Sequence, residues 1–367
     1  MYAFFYSPWL EPDVRARWRR HAEQVPWAHY LADPDWAEVE RSGQGRTARR
    51  PFFFWGEQDG EVCLTALGVR RQLPIPGRSF WEFSKGPTFL DGEVFDHWLG
   101  WLDGVLAHDA ARIRVAPPLP LDGGGDAVES TLERHGYVRH RLFGTWATLC
   151  IDLSLSEEAL LASFRSSTRQ EIRKCLRLGV AVQPEDTAEG QAILCDLQRA
   201  MRERAPVETA SPDLLARISR CWLHGGSGGT VLIAREGNQP LAAALVIIYR
   251  ERAHLRMLPS GRNPKASGKA SGSHLLLWEA IRWARTRGCT LFDLGGYSLM
   301  ARPEDPLWGV NFFKRGFAPT AEPEKVVAIH EKMSSPTIAA SAHAVRRLHT
   351  AVLQRRAVAG RGQQRAL

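Results

Sequence analysis

Four arginines, Arg165, Arg169, Arg173 and Arg177, recur at every fourth position in SFRSSTRQEIRKCLRLGV. On a helix that spacing makes a slowly drifting stripe, with Glu171 the one acid among them. Such a stripe is either a solvated face or a wall for phosphates, which guanidinium groups contact in a bidentate way. A second cationic stretch, GRNPKASGKAS from Gly261 to Ser271, carries Lys265 and Lys269 just ahead of a helix. Its backbone NH groups and the helix dipole suit an anion, and a plain surface loop is the alternative. It is not a nucleoside-triphosphate loop: six residues rather than four separate Gly261 from Gly268-Lys269, and Ala270 stands where magnesium needs a hydroxyl.

Other familiar chemistries are excluded by spacing. His330-Glu331 has no second histidine at the zinc interval, and no GxSxG elbow occurs. Cys63, Cys150, Cys175, Cys195, Cys221 and Cys289 include no CxxC pair. Neither a metal site nor a disulfide framework is expected, and a reducing cytoplasm is the simplest setting.

The elements that position these residues must come from 367 residues, 44% of them hydrophobic, enough for two ordinary domains. The formal charge of +8 and pI near 9.4 invite an anionic partner. Six arginines and no acid lie in Ser341–Leu367, so the body of the chain is close to neutral. The opening MYAFFYSPWLEPD has neither the basic stretch nor the cleavage site of a signal peptide. The longest apolar run, Leu241 to Tyr249, falls well short of the about 20 residues of a membrane span. A cytoplasmic protein without an integral membrane segment is expected.

Strand-like stretches at 51–55, 62–69, 79–83 and 113–115 alternate with helical ones at 95–108 and 127–135. Eight of the thirteen tryptophans lie at or before Trp101 and read as core. After a strand at 145–152, Ser154 or Ser156 caps a long helix that Gly179 stops, and helices follow at 187–204 and 212–223. Strands at 230–234, 241–249 and 254–258, a helix at 274–287 and a strand at 291–294 complete the second unit. Two similar α/β halves in tandem follow. A basic amphipathic helix begins near Ser335-Pro336; it either packs on the body or meets RNA or a membrane surface.

Four blocks resemble, in order and spacing, the Fem family of tRNA-dependent peptidoglycan aminoacyltransferases: SKGPTF (84–89), RSSTRQEIRKCLRLGVAV (165–182), RWARTRGCTLFDLGGYS (282–298) and NFFKRGF (311–317). The resemblance spans roughly residues 25–330. It implies two tandem GNAT-like domains around a cleft, the first at 1–147 joined by 325–367 and the second at 148–324, with the C-terminal basic helix returning to the first. It also implies transfer of an amino acid from aminoacyl-tRNA, as cosubstrate and with no other cofactor, to an amine of a small molecule. The Phe-Lys pair of the family's last motif falls on Phe313 and Lys314. Lys314 is then the catalytic cation, with an exposed lysine after a strand as the plain alternative, and Phe313 packs beside it. The arginine stripe, Lys265, Lys269, Gly295 and Gly296 fall on the donor side, and Lys85 and Asp293 on the acceptor side.

The sequence departs from the family at the acceptor. In members acting on UDP-linked muropeptides, a lysine and an arginine hold the diphosphate; their positions fall at Glu40 and Ser211. A hydroxyl position is kept at Thr209, a tyrosine position falls at Leu215, and Glu208 adds an acid. Carboxylates repel a diphosphate and attract ammonium groups. The expected acceptor is therefore not a standard muropeptide but a cationic or amino-sugar molecule, or a peptide antibiotic intermediate. The alternatives are transfer to a peptidoglycan precursor, an acyl-CoA-dependent N-acyltransferase and a non-catalytic tRNA-binding protein.

Overall fold

Alternating apolar side chains make strands of RRPFFFWGEQ and EVCLTALGVRRQ, and Asp59-Gly60, both at positive φ, turn one back on the other. This hairpin opens the first of two sheets in the computed structural model, which describes residues 1–140, 146–204, 211–223, 228–261 and 271–334. The first half contributes β1 (Tyr2–Ser7), α1 (Pro12–Gln24), α2 (Trp36–Glu40), β2 (Arg49–Gln58), β3 (Glu61–Gln72), β4 (Ser79–Ser84), β5 (Thr88–Phe89), α3 (Gly92–Leu106), β6 (Ala110–Ala116), α4 (Asp126–Arg134) and β7 (Val138–Arg139). The second begins with β8 (Trp146–Asp152), α5 (Glu157–Ser163), α6 (Ser166–Arg177), β9 (Val180–Pro184), α7 (Ala188–Arg204) and α8 (Pro212–Ile218). It continues through β10 (Gly229–Glu236), β11 (Gln239–Tyr249), β12 (Arg252–Met257), α9 (Ser273–Thr286), β13 (Leu291–Ser298), α10 (Pro306–Phe317), β14 (Glu324–Lys325) and β15 (His330–Met333).

The sheets repeat one topology. In the first, β1-β2-β3-β4 run antiparallel and β6 lies parallel to β4 after the α3 crossover. In the second, β9-β10-β11-β12 run antiparallel and β13 lies parallel to β12 after the α9 crossover. Each parallel pair thus has the helical connection it requires. Beyond β6 the first sheet is completed by β15, which inserts between β6 and β7, so the chain returns to its first sheet after building the second. The basic helix expected after Ser335 lies outside the described residues.

Three cores hold this arrangement. Phe54, Phe83, Phe95, Trp98 and Leu102 pack between the first sheet and α3. Ile172, Leu276, Ile281, Phe292 and Phe317 pack the second sheet against α6, α9 and α10. The third core is shared: Trp18 and Trp36 of α1 and α2 meet Leu215, Ile218 and Trp222, with Val231 and Ile247 of the second sheet behind them. The early tryptophans are thus largely core, as their density implies; Trp9 is an exposed exception.

The single helix expected from Ser154 or Ser156 to Gly179 is two. Ser156 caps α5 by accepting from the Ala159 NH at 3.2 Å, but the backbone turns extended at Phe164. Phe164 leaves the helical path to bury its ring against Trp278 and Phe317, and the Arg165 NH donates to the Gly316 carbonyl at 2.9 Å. Tertiary packing overrides local periodicity here. Gly179, at φ +73, ends α6 as expected.

Trp36 and Trp222, with ring centroids 5.5 Å apart, join the two halves of the shared core. Replacing Trp36 by Ala should lower unfolding free energy by about 3–5 kcal/mol. Urea titration followed by circular dichroism checks this, with one shifted transition expected rather than early loss of one half alone.

Candidate functional site

A cavity of about 430 Å³ lies between the two sheets. On one side it is lined by Ser84, Lys85 and Arg114 from the first sheet and by His29 and Tyr30. On the other it is lined by Thr148, Arg252, His254, Asp293, Gly295 and Gly296 from the second sheet, with Glu324 at β14.

The second-sheet wall is shaped by an irregularity in β13. Asp293 is opposite Cys150 and Gly296 opposite Thr148, so β13 carries one extra residue there. Gly295, at φ +73, absorbs the bulge. The bulge allows the Gly295 NH to donate back to Asp293 Oδ1 at 2.7 Å. The same oxygen accepts from the Thr148 hydroxyl, while Oδ2 lies 3.3 Å from His254 Nδ1. Burial alone would raise the pKa of this carboxyl group. The imidazole, the hydroxyl and the amide outweigh that and hold it far below the usual carboxylate range, so Asp293 is an anion.

Lys314 reaches the same bulge from α10. Its ammonium donates to the Gly296 carbonyl at 2.6 Å, and a Cβ added to Gly295 would lie 3.9 Å from it. Burial lowers the lysine pKa to about 8 against the opposing pull of Asp293. The side chain therefore sits half-buried on a helix, not exposed after a strand. Asn311, one turn earlier, ties α10 to the end of β13 by accepting from the Ser298 NH at 3.2 Å and donating to its carbonyl at 2.7 Å. Phe313 turns inward, its ring 5.0 Å from His274 and 5.4 Å from Phe317. It packs the helix that carries the lysine.

The structure therefore brings together Lys314, Asp293, Gly295, Gly296 and Lys85. Lys85 follows β4 at φ +55, a conformation costly for a side-chain-bearing residue, and burial lowers its pKa. Other expected site residues lie elsewhere. Glu40, at the end of α2, accepts from Trp36 Nε1 at 3.1 Å and from the Arg49 guanidinium, and does not line the cavity. The Ser211 hydroxyl caps α8, accepting from the Leu214 NH at 3.1 Å, and Leu215 is core.

The arginine stripe divides. Arg165 stacks its guanidinium 4.6 Å from the Phe312 ring of α10, and Arg169 donates to the Ala162 and Phe164 carbonyls where α5 ends. Arg173 and Arg177 remain exposed. Lys265, Lys269, Glu208 and Thr209 lie outside the described residues.

Sequence reading missed His29, His254 and Thr148. They sit in three unrelated segments with no shared spacing, and only the closure of the two sheets brings them to one cavity.

Against known proteins, residues 162–315 match the family model described as an acetyltransferase (GNAT) domain. No curated protein sequence matches the chain. Among solved structures the chain is similar to FemX, at 14% identity and a TM-score of 0.72, over 90% of this chain and 97% of that one. It is also similar to a tandem GNAT protein from the clavulanic acid biosynthesis pathway, at 14% identity and a TM-score of 0.57, over 92% and 99% of the two chains. A third is L-PGS from Bacillus licheniformis, at 14% identity and a TM-score of 0.51, over 92% and 96%. At these identities the likeness establishes the fold, a Fem-like tandem GNAT arrangement in agreement with the resemblance read from the sequence. Among the described residues no helix is long and apolar enough to cross a membrane.

A Cβ at Gly295 would meet the Leu255 carbonyl at 3.2 Å, on a backbone that side chains rarely adopt. Gly295→Ala should therefore cost about 1–2 kcal/mol of stability and straighten the bulge that presents Gly296 to Lys314. Thermal unfolding measures the first effect. The second should appear as a rise in the Lys314 pKa, followed by NMR of a specifically labelled lysine.

Proposed function

Proceeding from the Fem-like tandem GNAT fold, we propose that this chain transfers an aminoacyl group from aminoacyl-tRNA to the amine of a small molecule, forming an amide in the cavity between the sheets. The observation that carries this reading is the placement of Lys314: α10 holds one ammonium group against the carbonyl of Gly296, a residue of the cavity wall, and close to an ionised Asp293. An aminoacyl ester is already activated. Attack by a neutral amine builds negative charge on the carbonyl oxygen and then on the departing ribose oxygen, and no protein nucleophile is needed. A preorganised donor at those oxygens is worth about 3–4 kcal/mol, or two to three decades in rate.

Two features favour RNA on the Lys314 side. Arg173 and Arg177 are exposed on α6, and Arg165, at the start of that helix, stacks on Phe312 of the helix that carries Lys314. Cationic and aromatic groups side by side suit phosphates and unstacked bases. The acceptor enters against the first-sheet wall. Because Glu40 is bonded to Arg49 outside the cavity, it gives no support to a polycationic acceptor. The wall instead offers Lys85 beside an Arg114 already paired with Glu82 and Glu331, which suits an amine whose other substituents are neutral or anionic, as in a muropeptide or an amino sugar.

A second reading, transfer from acyl-CoA, is favoured by the acetyltransferase family model over 162–315. Mass spectrometry of products decides between them when the protein receives total charged tRNA or acetyl-CoA with a panel of amines. The tRNA reading requires product that ribonuclease abolishes; ribonuclease-resistant product with acetyl-CoA alone would establish the other.

With whichever donor is active, Lys314→Ala should lose about 10²–10³-fold in kcat while remaining folded. Lys314 is a cation below its pKa of about 8, so the wild-type kcat at saturating substrates should fall as pH rises through that value. Lys314→Arg should carry the falling limb to higher pH.

A further inference from the structure

His254 lies on β12 at the meeting of the two sheets, 5% exposed and lining the cavity. Its Nδ1 is 3.3 Å from the Asp293 carboxylate. Because Asp293 only accepts, it favours the neutral tautomer with the proton on Nδ1, which leaves the lone pair on Nε2. Among the described residues Nε2 has no hydrogen-bond partner. Across the gap, the ring of His29 is 4.8 Å away, centroid to centroid, and that of Tyr30 is 5.1 Å away. His29 has the opposite tautomer: its Nδ1 accepts from the Leu31 NH at 3.2 Å, so its proton sits on Nε2. Burial and the neighbouring His254 push the His29 pKa well down, and His29 is neutral.

We propose that His254 is the general base of amine acylation in this cavity, with Asp293 as the positioning residue that fixes its tautomer. The inference rests on the reading that an amine is acylated here, and holds for an ester or a thioester donor. The amine lone pair attacks the acyl carbon, forming the C–N bond, and an N–H proton passes to His254 Nε2. The C–O bond to ribose, or the C–S bond to a thiol, then breaks. The departing atom takes one proton back, so the imidazole ends neutral and no further reactant is consumed. The arrangement has the logic of a base oriented by a third group, with the acceptor amine in place of a protein nucleophile.

Charges of both signs face this ring. The acids include Asp293 on β13 and Glu324 on β14. The cations include Lys85 after β4 and Arg252 and Arg256 on its own strand, with Lys314 behind Gly296 and with neutral His29 and Tyr30 closing the first-sheet side.

Two measurements on the full chain test the assignment. The first is ¹⁵N NMR of histidine-labelled protein, with His254→Asn and His29→Asn identifying the signals. The expected neutral forms are Nδ1–H for His254 and Nε2–H for His29; a predominant Nε2–H tautomer at His254 overturns the proposal. The second is the pH profile of kcat/KM for glucosamine and for a lysine-bearing muropeptide, with alanyl-tRNA or acetyl-CoA as donor. His254→Asn keeps a donor toward Asp293 but has no basic nitrogen. It should lose about 10²–10⁴-fold at pH 7, with donor KM unchanged and the rate now rising with the amine's own ionisation. Wild-type transfer with an unaltered His254→Asn profile overturns the base alone. Absence of transfer by the wild type with every donor overturns the reading of function on which the base rests.

Discussion

The carboxylate of Asp293 is 7% exposed and charged, and the cavity is organised around keeping it so. A buried anion without donors is costly by several kcal/mol, which obliges the surrounding elements to supply them. β8 supplies a hydroxyl from Thr148, β12 an imidazole from His254, and β13 its own Gly295 NH by way of a bulge. None of these contacts survives a shift of register between the three central strands. The carboxylate thus links strand pairing to chemistry: the ring it orients, the glycine carbonyl that meets Lys314 and the field around that lysine all depend on it.

A cavity with one wall on each sheet also requires the sheets to stay where they are. The shared core answers that requirement, since Trp18, Trp36 and Trp222 bury a continuous aromatic cluster between helices of the two halves. Arg250 adds a polar tie from the β11–β12 turn, donating to the Ala22, Glu23 and Val25 carbonyls at the end of α1. β15 completes the first sheet only after the second has been built, and the residues just before it, Val326 to Ile329, line the cavity. Both walls are therefore set by segments distant in sequence, which is how a rigid site arises without a contiguous motif.

That distance explains what the sequence disclosed. Strand periodicity, Gly179 and Ser156 act locally, and the elements they imply are present. The family blocks pointed to Lys314, Asp293, Gly295 and Gly296 because each lies within a short contiguous run. His29, in the segment between α1 and α2, and His254 and Thr148, on strands, carry no such signature, since an isolated histidine or threonine reads as ordinary core until the fold brings a carboxylate near it. Phe164 shows the reverse failure. Its periodicity fitted one long helix, and only the presence of Trp278 and Phe317 reveals that its ring is worth more outside the helical path.

Charge was the most misleading quantity in the sequence, because a formal charge says nothing about the partner that has already claimed it. Arg169 is spent on the end of α5, Glu40 on Arg49, and Arg114 on Glu82 and Glu331. Among the described residues Lys85 keeps no hydrogen bond or ion pair, and Lys314 keeps only a carbonyl. Lys85 lines the first-sheet wall of the cavity, and Lys314 bonds Gly296 of the other wall, beside an anion already bonded to its own donors. Two cations favour the oxyanion of an acyl-transfer intermediate, and the same two cations repel an amine that arrives protonated. On the proposed reading, such a site receives the amine without its extra proton and removes another once the C–N bond has formed. The imidazole beside Asp293 is the group proposed here for that proton.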